Sequence, residues 1–266
     1  MLGAKGRLTL ALYDLRAGIC SIYLWPVLGW QDIKQRYRRS VIGPFWLTIS
    51  YGALIMGMGP LYGRLLQQDL SAYLPYLSVG FIAWVLISSL ITEGCTAFIG
   101  AEGYITQMKL PFTAHVLRVV WRNLLIFLHN FIIVLIVMVF SPPALGWALL
   151  TVPLGVLVIA ANGVWIGIVF GLLCARFRDF TQVVASVVQI AFFLTPVMWR
   201  PNMLGRMQWA ADWNPLHHLL EIVRAPLISG KVMLLSWMVA VGLAVVGFVV
   251  ALALFSRYRA RVAYWL

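Results

Sequence analysis

The sequence predicts an all-α integral membrane protein: six transmembrane helices, an N-terminal amphipathic interface helix, and re-entrant outer helices between the fifth and sixth spans. Three observations predict it. Of the 266 residues, 62% are hydrophobic and only 11% charged, whereas soluble domains are about half apolar and a quarter charged. Six uncharged runs, residues 41–62, 72–92, 123–140, 144–175, 180–199 and 232–255, approach or exceed the roughly 20 residues that cross a bilayer. After the fifth run comes a half-polar stretch that lipid would not tolerate unshielded.

Residues 7–29 interleave Leu8, Leu15, Ile19 and Ile22 with Arg7, Asp14, Arg16 and Ser21, the pattern of a helix lying in the membrane surface. Pro26 and Gly29 are expected to interrupt it. In the helix that follows, Trp30, Ile33 and Tyr37 share one face and Lys34, Arg36, Arg38 and Arg39 occupy the other. Residues 1–40 therefore read as a cytoplasmic interface segment and 41–266 as the six-span domain. Gly43-Pro44 opens the first span, where proline's missing N–H costs little.

Between the second and third spans, Glu93 to Arg122 carries five charges punctuated by Gly94, Gly100, Gly103 and Pro111. A cytoplasmic projection is expected, with a short helix near Tyr104–Met108 at its bend. Ser141-Pro142-Pro143 makes a tight outer turn. The fourth run is too long for one span and too short for two, so it reads as one helix with an extended end. Ala175-Arg176-Phe177-Arg178-Asp179 turns the chain inside.

Residues 201–231 form the irregular outer segment. Asn214-Pro215 is an N-cap and first-turn pair, after which Leu216, Leu219, Leu220, Val223 and Leu227 share a face. A central arginine costs about 2.5–3.5 kcal/mol on insertion scales. Two short helices that dip in and return, shielded by neighbouring spans, would keep His217, His218, Glu221 and Arg224 out of lipid. A protein folded this way encloses a passage.

The net charge of +12 follows from topology. With the N-terminus cytoplasmic, fifteen of the twenty Lys and Arg fall inside and five outside, the positive-inside distribution with both termini in the cytoplasm. This argues against nucleic-acid binding. Seven bases and two acids are interleaved through the first forty residues, which predicts no cleavable signal peptide. Cys20, Cys95 and Cys174 lie too far apart for a metal spacing and read as packing residues.

Catalytic motifs are missing from the sequence. The single Gly-Lys pair, Gly230-Lys231, lacks the phosphate-cradling pattern around it, so the chain is not expected to hydrolyse ATP by that route. Neither H-E-x-x-H, Cys-x-x-Cys nor Gly-x-Ser-x-Gly occurs. No metal site and no cofactor of its own is expected. Adjacent His217 and His218 point to different helix faces, favouring interface histidines over ligands. His129 and Asn130 read as an interhelical hydrogen-bonding pair rather than a proton relay.

Two seams are candidate pathway walls: Thr48, Tyr51, Ile55, Met58 and Tyr62 on the first span, and Gln182, Ser186, Gln189 and Phe193 on the fifth. They suit sugar hydroxyls and rings, or ordinary helix packing with polar glue. Lys34, Arg36, Arg38 and Arg39 suit anionic headgroups or, through Arg38 and Arg39, the phosphates of a lipid-linked substrate.

Four stretches together resemble the permease subunit of polysaccharide ABC exporters of the O-antigen and capsule type. They are Asp32-Ile33-Lys34-Gln35-Arg36-Tyr37-Arg38-Arg39-Ser40 with Gly43-Pro44-Phe45-Trp46; Lys109-Leu110-Pro111; Ala175 to Asp179; and Thr195-Pro196-Val197 with Asn214-Pro215-Leu216 and Arg224. The resemblance implies a bacterial inner-membrane homodimer bound to two copies of an ATPase subunit, which would hold ATP and Mg. It implies export of a glycan linked to undecaprenyl diphosphate. It further implies an ATPase coupling contact at Tyr104, Gln107, Met108 and Lys109, with the first and fifth spans lining the channel. The outer gate would fall within residues 201–231 and its approach, at Trp199, Trp213, Asn214, His217, Glu221 and Arg224. Two other readings stay open: an ABC permease for a drug or small lipid, and a membrane enzyme acting on polyprenyl phosphates. The enzyme would need paired acids, and Asp14, Asp32, Glu93, Glu102 and Asp179 stand singly on separate segments.

Overall fold

A computed structural model describes residues 4–38, 42–43, 45–142 and 146–266, and among these every regular element is helical. Two helices, α1 (Ala4–Cys20) and α2 (Trp25–Arg36), precede α3 (Phe45–Leu65), α4 (Leu70–Cys95), the short α5 (Glu102–Gln107) and α6 (Phe112–Phe140). Then come α7 (Val152–Arg176), α8 (Phe180–Leu194), α9 (Trp209–Asp212), α10 (Pro215–Ile228), α11 (Leu234–Tyr258) and the terminal turn α12 (Val262–Trp265). Four helical stretches among the described residues are long and apolar enough to cross a membrane: 70–95, 112–140, 147–176 and 234–265.

The over-long fourth run behaves as expected, because a 3-10 turn at Trp147–Thr151 extends α7 at its start. The N-terminal break does not fall where Pro26 and Gly29 suggested. It lies at 21–24, and Pro26 sits in the first turn of α2, where a missing N–H is tolerated. Gly29 stays helical, and its lack of a side chain lets α2 lie close to α6: a Cβ there would come 3.1 Å from the Arg118 carbonyl oxygen.

The core is built on α4, which packs against α6 and α7 and also meets α3, α8 and α10. Its face from Leu77 to Ile91 is almost wholly buried. The outward sides of α6, α8 and α11 carry exposed Leu, Ile, Val and Phe, as a helix in lipid does. Helix α1 lies across α6 and α11 and anchors through one buried acid. Both Asp14 carboxylate oxygens accept from the start of α6: Phe112 N at 3.2 Å, Thr113 N at 3.0 Å and Thr113 Oγ1 at 2.7 Å. Arg259, beyond α11, donates to the same carboxylate at 2.9 Å. Asp14 thus caps a helix nearly a hundred residues away, satisfying N–H groups that have no partner within it.

Candidate functional site

The expected gate region begins where α8 ends. Helix α8 has 15 residues, about 22 Å of rise, short of the roughly 30 Å hydrocarbon core. The chain continues from Thr195 through Arg200 outside any helix except a turn, yet Thr195, Pro196 and Val197 are buried. Their carbonyls need partners, and α4 and α10 supply them. Tyr76 Oη donates to the carbonyls of Trp199 at 2.9 Å and Pro196 at 3.2 Å, and Tyr73 Oη to that of Met198 at 2.7 Å. Arg224, 1% exposed, donates through Nη1 to Pro196 O at 2.6 Å and through Nε to Glu221 at 2.9 Å. Its guanidinium lies 4.1 Å from the Tyr76 ring centre. Gly80 makes room: a Cβ there would stand 3.1 Å from both Arg224 Nη1 and the Val197 carbonyl.

The expected gate residues gather here. Helix α10 is held among α4, α7 and α11, with His217, His218 and Arg224 buried. The Asn214 side chain caps it by accepting from Leu216 N at 2.9 Å and donates to Thr195 Oγ1 at 3.0 Å, tying α10 to the broken segment. Glu221 pairs with Arg224, and His217 Nδ1 stands 4.0 Å from it. His218 is engaged separately, with Ser236 Oγ at 3.0 Å and the Asp212 carbonyl at 2.8 Å. Trp199 donates to the Phe193 carbonyl at 3.1 Å. Trp213 is 83% exposed, the most open of the group.

The two predicted seams differ in surroundings. On α8, Gln182, Ser186, Gln189 and Phe193 are all exposed. On α3, Thr48, Tyr51, Met58 and Tyr62 are half-buried and turn toward the subunit. Thr48 Oγ1 donates to Asn130 Oδ1 at 2.8 Å, so Asn130 is the interhelical partner, while the neighbouring His129 ring packs on Phe45 at 4.6 Å. Met58 and Tyr62 pack on Tyr73, Tyr76 and Leu77. Tyr51 stacks edge-on to Phe81 at 5.8 Å, Phe81 to Phe192 at 6.3 Å, and Phe192 to both Trp84 and Phe193. A continuous aromatic strip therefore joins α3, α4 and α8. Sequence reasoning missed Tyr73, Tyr76, Phe81, Trp84 and Phe192. Tyr73, Tyr76 and Gly80 at i, i+3 and i+7 share one face of α4, a signal present in the chain and not used.

At the other end of α4, the basic cluster meets acids. Arg36 Nη2 lies 2.9 Å from Glu93 Oε1, and Glu93 also accepts from Arg122 at 2.7 Å and Asn123 at 2.8 Å. Asp32 binds Arg118 and, at 2.7 Å, Arg122. Burial alone would lower the Arg36 pKa; the hydrogen bond and charge of Glu93 outweigh it and hold the guanidinium above its ordinary value. Of the predicted entrance residues, Arg36 is thus engaged within the protein. Lys34 sits exposed 6.0 Å from the Trp30 ring centre, Arg38 is exposed, and Arg39 lies outside the described residues. Helix α5 has no buried residue. Gln107, Met108 and Lys109 project at its end, and Tyr104 packs under it, 5.2 Å from the Arg118 guanidinium. Among the described residues no three His, Cys, Asp or Glu side chains group as metal ligands.

Residues 23–228 match the family model described as ABC-2 type transporter. A Klebsiella pneumoniae protein named O-antigen export system permease protein RfbA is 25% identical over 243 residues, 88% of this chain and 91% of that one. Another of the same name and organism is 23% identical over 240 residues, with the same coverage. A Myxococcus xanthus protein of that name is 23% identical over 197 residues, 73% of this chain and 72% of its own length. With the family match spanning most of an all-helical, membrane-spanning chain, the protein belongs to the ABC-2 type transporter membrane family.

Proposed function

We propose that the chain is the permease subunit of an ATP-driven exporter that carries a lipid-linked polysaccharide across the bacterial inner membrane. The observation that carries this reading is the sealed outer segment. Backbone that breaks helical pairing at the end of α8 is buried and satisfied from α4 and α10, the arrangement that tolerates irregular chain at membrane depth. The names of the relatives supply the cargo class. In this reading α3, and α8 with its extension to Trp199, complete six spans, and residues 201–231 form a re-entrant gate. Both termini are cytoplasmic, and residues 1–40 lie on the inner surface. The aromatic strip from Tyr51 to Phe193 offers ring faces to sugars, and the exposed amides and hydroxyl of α8 offer hydrogen bonds.

Two copies pair around the passage, and each takes one ATPase subunit against the exposed α5 bend. ATP and Mg belong to that partner. Lys34, Arg38 and Arg39 receive the pyrophosphate of an undecaprenyl-linked glycan, while Arg36 holds α2 in place. The test is genetic and chemical together. Deleting the gene should remove surface polysaccharide and leave lipid-linked glycan inside the cell, and re-expression should reverse both. Unaltered surface glycan in the deletion strain would overturn the cargo.

A further inference from the structure

Where α11 passes into the 3-10 turn Arg259–Arg261, a cavity of about 250 Å³ opens against α1. Arg7 and Leu10 line it from α1, and Ser256, Arg257, Arg259 and Arg261 from the other side. Among the described residues only Arg259 of these arginines has a carboxylate partner, Asp14, whose Oδ2 lies 2.8 Å from its Nη2. Arg257 stacks on Tyr258 at 5.6 Å, and among the described residues Arg7 and Arg261 pair with no acid. Because Asp14 is buried and also fastens the start of α6, the Arg259 wall is fixed before any ligand arrives.

Unpaired cations around one cavity repel each other, and an anion placed between them removes that cost. Ordinary inside-positive arginines each attract anionic lipid by about 1 kcal/mol without any pocket. Here a pinned guanidinium and a walled space add what scattered surface arginines lack. Leu10, which lines the cavity, is exposed, as are its α1 neighbours Leu8 and Leu12, so an apolar surface for acyl chains adjoins the charges. We propose that this cavity binds a phosphate ester, the headgroup phosphate of an anionic phospholipid such as phosphatidylglycerol, and that the bound lipid fastens α1 to the end of α11. This rests on α11 spanning the membrane and not on the identity of the exported cargo.

The test is native mass spectrometry of the purified full chain with phosphatidylglycerol, phosphatidylcholine or inorganic phosphate added. Wild type should retain phosphatidylglycerol over phosphatidylcholine by about fivefold or more, from the roughly 1 kcal/mol per base at such sites. The double variant R257Q/R261Q should bring that preference near unity, and R206Q, on the outer turn, should leave it intact. R7Q, outside the Asp14 link, gives the same reading should the double variant misfold. Equal retention by wild type and these variants overturns the site. Displacement of the lipid by equimolar inorganic phosphate overturns the lipid assignment in favour of a soluble anion. Loss of a co-purified ATPase with lipid retention unchanged overturns it in favour of a protein contact. Export need not change for any of these outcomes to be read.

Discussion

Among the described residues Arg224 is the largest fully buried side chain, and its environment explains how a charge survives there. Glu221 neutralises it, the Pro196 carbonyl accepts from it, and the Tyr76 ring covers it. Removing one member of such a pair leaves the other buried and uncompensated, a loss of roughly 3–5 kcal/mol. R224Q should therefore lower the thermal unfolding midpoint in detergent substantially. Tyr76→Phe should cost less, about 1–3 kcal/mol, because the ring stays, the Pro196 carbonyl keeps Arg224 as a donor, and the Trp199 carbonyl loses Tyr76. Equal midpoints for wild type and Tyr76→Phe would show that the Trp199 carbonyl finds water instead. Arg224 was legible in the sequence as a charge needing shelter. Its shelter was not, since Tyr73 and Tyr76 look like interfacial aromatics until α4 is known to run beside Thr195–Arg200.

Among elements, α2 shows how polar contacts can seat a helix that has few buried apolar residues. Only Leu28, Gly29 and Ile33 of α2 are buried, and its firm attachments are Asp32 to Arg118 and Arg122, and Arg36 to Glu93. Losing charged hydrogen bonds worth about 1.5–3 kcal/mol each should raise the detached population of α2 by roughly tenfold or more. Asp32→Asn should thus speed tryptic cleavage at Lys34, Arg36 and Arg38 while the helical circular dichroism stays unchanged; unchanged cleavage would mean that packing alone seats the helix. At the other anchor, Asp14→Asn weakens the cap of α6 by about 1 kcal/mol and its tie to Arg259. A lower unfolding midpoint is expected there too. The four long apolar helices could be read from sequence because a charge-free run is a property of one stretch. The ion pairs could not, because Asp32 and Arg118 stand 86 residues apart and meet only once α2 lies along α6.

For the whole molecule, the proposed pairing of two copies calls for an exposed apolar surface. Val183, Val187, Ile190 and Leu194 are exposed along α8 at i, i+4, i+7 and i+11, beside the polar residues Gln182, Ser186 and Gln189. In a pair around a passage, the polar stripe faces the lumen and the apolar one meets the partner or lipid. Val187→Cys should cross-link between copies in native membranes, visible as a dimer on non-reducing gels, while Val241→Cys on exposed α11 should not. The reverse result would place the passage against the other flank. The six-run pattern and the half-polar outer stretch were visible in composition alone. The sequence did not reveal that the α3 seam turns inward while the α8 seam stays open, because helical periodicity fixes which residues share a face and not where that face points.

Helix α4, 26 residues long, carries Tyr73 and Tyr76 near one end and Glu93 near the other, with a nearly unexposed rod between the seal and the basic cluster. Such a strut does not compress. A push that tilts it from the Glu93 side must drag the Thr195–Arg200 crossing with it; with both termini cytoplasmic, as proposed, a stroke delivered beneath the membrane would reach the far mouth through one helix, with no slack to take up.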